Sequence, residues 1–571
     1  MRKVLVLCFV LVLSAFAKEQ VKKRTDFQPP LNIPLNLAGN FGEFRSNHFH
    51  TGIDIKTQGR QGLPVMTIAD GYVSRIKISP YGYGNAVYID HPNGYTSVYA
   101  HLSELDSLID HFVTEAQYEF ETFWIDLHPN PKALVYKSGE VIGKSGNSGS
   151  SGGPHLHFEI RHTATEFPVN PLLWDFPIED HLAPMIYELS LYPQSDSSTI
   201  SDAHHVQRFK TSKQSGICSL INKQAIEVGG PVVFGLHTLD FLDNNSNRCG
   251  IYEMIVSIDD SLFYEQRIDE LSFESNRMMN AHLDYKSFKK EKKGIHRAFR
   301  MPYNELPIYK NIKGNGSFIP DVGVTHDVTL ETKDVHGNLS SLSFKITGVQ
   351  SSRKVEEFND EQASKKMFNY NQVNTFRTEK CNLFIPENRL YGDVRMKVEE
   401  LDSSFSAYSG RFEVGNPLVP VHDYFLVKIK LNEVPDSLGD KLVGVSYLPS
   451  KKSKYAVGGD LKMGWLTLRI KRFGQFYVDI DTIAPSIRNA DPLKQLKRGQ
   501  KFSLKVTDDL SGVNKYDAYL NGSWLRMKYD AKRNHMWVDL SEGKLKESDG
   551  NELLIVVFDE RDNKAEKKFK F

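Results

Sequence analysis

Cysteine is scarce in this chain, with four in 571 residues. Cys8 lies in an apolar leader, which leaves Cys218, Cys249 and Cys381. That number is odd and the spacing matches no disulfide framework. A single Cys218–Cys249 bridge fits an oxidising exterior, and a pair of unlinked buried thiols fits equally well. An excess of either charge is also missing, since Lys+Arg and Asp+Glu both count 71. The balance removes the electrostatic case for nucleic acid or an anionic membrane surface as partner. Beyond the N-terminus, apolar runs long enough for a transmembrane segment are absent as well.

The N-terminal run MRKVLVLCFVLVLSAFA is itself too short to span a bilayer comfortably. Arg2 and Lys3 precede an apolar Val4 to Leu13, and Ala15-Phe16-Ala17 fits an A-x-A cleavage site. Residues 1–17 therefore read as a signal peptide and the rest as exported. Cys8 is a poor lipid-attachment residue, because it sits inside the apolar run and follows Leu7 rather than a small residue. What is present suffices for ordinary cores, with 40% hydrophobic and 11% aromatic residues. At roughly 100–200 residues per domain, three or four domains are expected.

The composition predicts a mainly β protein. Residues 18–38 (ending FQPPLNIPLNL) read as an extended lead-in, and 39–181 as a first domain of antiparallel strands. Asp70-Gly71 and Pro92-Asn93-Gly94 are expected hairpin turns. Leu105 to His128 lacks Gly and Pro and carries apolar residues near helical spacing, which predicts a helical insertion over about 104–128. From 182 the sequence is of β type without helical periodicity. Phe234 to Asp240 (FGLHTLD) matches Phe502 to Asp508 (FSLKVTD), and Asp334-x-x-x-Asn338 with Phe344 matches Asp559-x-x-x-Asn563 with Phe569. Two copies of one Ig-like β-sandwich, at 182–348 and 483–571, explain this, with a polar linker start and a β-rich middle domain over 349–482. The repeated Asp and Asn residues read as strand-end turn formers, and calcium loops are the less favoured reading. No cluster of His, Asp and Glu at ligand spacing stands out after residue 182, so no catalysis is assigned there.

Chemistry concentrates in four short motifs of the first domain. His155 and His157, in HLHFEI, share one face of a strand. His50 and Asp54 form H-x-x-x-D, where Gly52 favours a loop entering a strand. Tyr99-Ala100-His101-Leu102 ends an apolar strand, and SGNSGSSGGP precedes His155. Three N/O ligands with an open fourth position would make a catalytic rather than a structural zinc site.

The combination HTGID, YAHL and SGNSGSSGGPHLHFEI, in that order, resembles the lysostaphin/LytM-type zinc endopeptidases over about residues 39–175. The resemblance implies an antiparallel peptidase domain binding one Zn²⁺ through His50, Asp54 and His157. His101 and His155 would then be the catalytic pair beside the metal, with their separate roles left open. The implied function is an exported, periplasmic zinc metalloendopeptidase acting on stem or cross-link peptides of peptidoglycan; secreted or cell-surface locations are the alternatives. The second reading is a catalytically silent envelope scaffold or amidase activator, disfavoured because all five site residues are present. An envelope protein or a glycan is the expected partner of the C-terminal modules. The Gly/Ser loop 145–153 is expected to form a cleft wall, and Asn40 and Asn47 stand near enough to the site to be candidates for self-inhibition.

Overall fold

The computed structural model describes residues 23–214, 217–351, 365–402, 405–490, 500–546 and 550–571. The expected signal peptide, 1–17, and the start of the lead-in lie outside the described residues. Within them the chain is mainly β.

The first sheet is built from β1 (Leu37–Gly39), β2 (Ile53–Lys56), β3 (Gly71–Ile78), β4 (Asn85–Asp90), β5 (Tyr95–Ala100), β6 (Ile125–Leu127) and β7 (His155–His162). Its main path runs β1-β2-β7-β5-β4-β3-β6, so β7, late in the chain, is inserted between two early strands. Every described pairing in this sheet is antiparallel. Alternation along β7 explains its central place. Leu156, Phe158 and Ile160 are fully buried in the apolar core, while His155, His157, Glu159 and Arg161 line the opposite face.

Two local expectations change. Pro92-Asn93-Gly94 does close the β4–β5 hairpin, with Gly94 at φ 84°. Asp70-Gly71 does not make one, because the preceding strand Pro64–Met66 pairs with Val141–Lys144 in a separate sheet. The insertion holds α1 (Ser107–Glu119), whose N-cap Asp106 accepts from the Leu108 N–H. Its last residues are not helical, since Ile125–Leu127 adds β6 to the edge of β3. Ile109, Val113 and Gln117, at i, i+4 and i+8, form the buried face of α1.

Residues 185–348 build a twelve-stranded sheet system. Helices occur there too, at Met279–His282 and Tyr285–Glu291, contrary to the strand-only reading. Both are too short for periodicity to reveal. Their core contains Phe41 and Phe49 from the first domain, and the first domain's core contains Leu242, Tyr252 and Val335. Residues 374–480 form two five-stranded sheets, and 486–570 two four-stranded sheets. Cys218, Cys249 and Cys381 are buried and free, so the Cys218–Cys249 bridge is not formed.

Candidate metal centre

Pairing of β2 with β7 sets Asp54 opposite His157, and pairing of β5 with β7 sets Ala100 opposite the same residue. Paired residues share a face, so Asp54 and His157 meet by register alone. His50 enters from the loop before β2. Its Nε2 lies 3.1 Å from Asp54 Oδ1 and 3.1 Å from His157 Nδ1, and the latter is 2.9 Å from Asp54 Oδ1. All three residues are buried.

The outward-facing ring nitrogens decide what these atoms are. His50 Nδ1–H donates to the Asn40 carbonyl at 2.8 Å, and His157 Nε2–H donates to Glu159 Oε1 at 2.9 Å. Neutral rings so held turn lone pairs inward, where Asp54 adds a carboxylate oxygen. With His157 neutral, three acceptors converge at hydrogen-bond distance; without a cation between them, a proton on His157 Nδ1 is donated to Asp54 instead. That arrangement suits a cation, and imidazoles oriented by outer acceptors are the usual support of a metal site. The residues fit the zinc that the resemblance implies. Burial opposes charge on His157, but Asp54 and Glu159 outweigh it and push its pKa up to about 9. Burial likewise opposes the charge on Asp54, and the surrounding histidines hold it ionised well below the usual carboxylate range.

His101 and His155 join the same cleft. His155 Nδ1–H donates to the Gly153 carbonyl at 2.8 Å, and its Nε2 lies 3.4 Å from Asp54 Oδ1. A regular continuation of β5 would send His101 to the far face, away from His157. Instead His101 has φ 61°, the strand ends, and its ring centroid lies 4.8 Å from that of His155. His101 Nδ1–H donates to the Ser148 carbonyl at 2.9 Å. Burial, with the charges of His157 and His155, lowers its pKa to about 3. Both rings thus present Nε2 as an acceptor. All five residues singled out from the sequence come together.

Several supporting residues escaped that reading. Glu159 is fully buried and accepts from Thr51 Oγ1, Tyr83 Oη and Arg161 Nε at 2.6, 2.6 and 2.7 Å. It stands two residues beyond His157 and Arg161 two beyond that, a strand-face spacing that would have revealed both. Arg45 Nη2 donates to Asp54 Oδ2 at 2.6 Å, leaving Oδ1 for the centre. No local pattern marks Arg45.

The Gly/Ser loop is small for a reason other than substrate access alone. A Cβ on Gly149 would lie 2.4 Å from the Gly82 carbonyl, so the loop packs backbone to backbone on the 82–84 turn. Its outer side is touched by the last module, where Lys532 Nζ donates to the carbonyl and Oδ1 of Asn147 and to the Ser151 carbonyl. The Asn40 amide is engaged in both directions with Gly250, and Lys289 donates to Asn47 Oδ1. Neither side chain reaches toward the centre in this arrangement.

The model of peptidase family M23 matches residues 48–118, and that of the Zu5-like domain matches 365–481. DD-carboxypeptidase/endopeptidase Mpg of Neisseria meningitidis is 40% identical over 123 residues, 22% of this chain and 22% of its own length. Peptidoglycan DD-endopeptidase ShyA of Vibrio cholerae is 33% identical over 155 residues, 26% of this chain and 30% of its own. The match thus spans less than a third of either relative. Among solved structures, the catalytic domain of the prophage-encoded M23 protein EnpA from Enterococcus faecalis is 25% identical. That match covers 25% of this chain and 95% of that one, with a TM-score of 0.19.

Proposed function

Starting from a chain that carries a peptidase family M23 domain, we propose that it is an exported zinc metalloendopeptidase cutting stem or cross-link peptides of peptidoglycan. The observation that carries this reading is the convergence of His50 Nε2, Asp54 Oδ1 and His157 Nδ1 within 3.1 Å of one another. His50, Asp54 and His157 would hold a zinc ion, which when bound would supply the Lewis acidity to polarise a scissile carbonyl and acidify water. The chain's own residues supply the rest. Asn40 and Glu159 keep the two ligand imidazoles in the required tautomers. The Ser148 and Gly153 carbonyls do the same for His101 and His155, aiming each Nε2 into the cleft, where one of the two takes a proton from water. The protonated ring then serves as donor to the developing oxyanion or the leaving amine. The relatives named for DD-endopeptidase activity support the D-Ala cross-link as the bond, and the leader at 1–17 supports a periplasmic site of action.

Purified cross-linked muropeptides, digested with the wild-type chain and with His157→Ala, test this. Zinc-dependent cleavage by the first and loss of activity in the second are expected. Intact muropeptides after incubation with folded, zinc-loaded wild type would overturn the enzyme reading in favour of the scaffold.

A further inference from the structure

Outside the metal centre, turn residues of the first and last β modules assemble into two carboxylate clusters of one design. Asp180 begins the run Asp180-His-Leu-Ala-Pro184, and Asp481 begins Asp481-Thr-Ile-Ala-Pro485. Asp240 and Asp508 directly follow the strands Val232–Leu239 and Lys501–Thr507. Asp334 and Asp559 open D-x-x-x-N turns. The Nδ2 of Asn338 donates to Asp334 Oδ2 at 2.6 Å and to the Asp180 carbonyl at 3.0 Å. The Nδ2 of Asn563 repeats this with Asp559 Oδ2 at 2.7 Å and the Asp481 carbonyl at 2.9 Å. Candidate ligand atoms of Asp180, Asp334 and His336, and likewise of Asp481, Asp508 and Asp559, lie within 4.8 Å of one another. This corrects the sequence reading, which saw no such cluster after residue 182.

The unsatisfied oxygens point to a ligand. Asp240 is 2% exposed and its Oδ1 receives no hydrogen bond among the described residues. With Asp180, Asp334 and His336 it lines a cavity of about 10 Å³, room for one atom-sized occupant. Asp508, its counterpart, also leaves Oδ1 without a donor while Oδ2 accepts from the Leu510 and Gly512 N–H groups. The same oxygen is left open twice. Burial and the neighbouring Asp180 and Asp334 charges raise the Asp240 pKa well above the usual carboxylate range. Two nitrogen-bearing side chains stand near the first cluster: His336, with Nδ1 3.6 Å from Asp180 Oδ2, and Lys23, which feels Asp180 and Asp334. Neither donates to Asp240 Oδ1.

We propose that each cluster binds one divalent cation through its aspartate oxygens, and that the ion is calcium. Asp180 and Asp334, with their counterparts Asp481 and Asp559, give both copies carboxylate donors, which suit a hard cation of flexible coordination. The first site also reaches the peptidase domain. Asn40 lines its cavity, and the Asn40 carbonyl holds His50. A cation there would stiffen the segment that orients a ligand of the metal centre.

Calorimetric titration of the metal-stripped full chain with calcium chloride tests this. One equivalent per cluster is expected in the wild type and in His157→Ala, with loss of one equivalent in Asp240→Asn or Asp508→Asn and of both in the double variant. Calcium should raise the melting temperature of the wild type and leave that of the double variant unmoved. Absence of calcium binding at millimolar concentration in the wild type, whose folding is not in question, would overturn the proposal. So would unchanged stoichiometry in the folded double variant.

Discussion

A carboxylate at each ring nitrogen holds His157, with Asp54 on the inner side and Glu159 on the outer side. The second contact matters as much as the first. Glu159 also receives Thr51, Tyr83 and Arg161, all donors, so a neutral amide in its place would turn a donor toward donors. Glu159→Gln should therefore weaken zinc affinity about 10–100-fold, read by competition with a chromophoric chelator. Unchanged affinity would show that the tautomer of His157 is set elsewhere. His101 teaches a related lesson. Its place in the cleft depends on one left-handed backbone angle, which no side-chain pattern announces.

Among the elements, the short helix Met279–His282 and the strand Ile295–Arg297 carry a pH dependence. His282 and His296 are buried against Phe44 and Phe49, next to His50, with 3.3 Å between His282 Nε2 and His296 Nδ1. Burial, assisted by His237, lowers the pKa of His296 to about 3 from an ordinary 6.5. Below about pH 6.5 the unfolded chain takes up a proton that the folded chain refuses, so stability falls as pH drops toward 3. His296 alone should cost about 2 kcal/mol at pH 5 relative to pH 8, and His296→Gln should remove about that much of the slope in urea midpoints. An unaltered slope would place the acid sensitivity elsewhere. Strands were the more legible elements. FLVKIK and the two halves of WLTLRIKRFGQFYVDI alternate visibly and form the strands Phe425–Lys430, Trp465–Ile470 and Gly474–Ile480. The edge strand Ile125–Leu127 was hidden, because three residues carry too little period to compete with the helix before them.

Across the whole molecule, the far C-terminus reaches the cleft. Arg526 donates to Thr114 and Gln117 of α1, Trp124 donates to Tyr516, and Lys532 holds the loop 147–151. Lys532→Ala should speed amide hydrogen exchange at residues 147–151 while leaving β7 protected; equal exchange would make the contact incidental. The sequence by itself determined the five candidate site residues and the β character. Those follow from residue type at fixed spacing along one strand face, and from alternation, which are local properties. Tertiary structure alone decided the partners of those residues. Arg45 on Asp54, Asn276 bracketing Phe49 beside His50, and Asp180, Asp240 and Asp334 around one cavity join segments 9 to 227 residues apart. Hydrogen bonding and charge compensation act over ångströms of space, and only the folded chain brings such distant residues within that range.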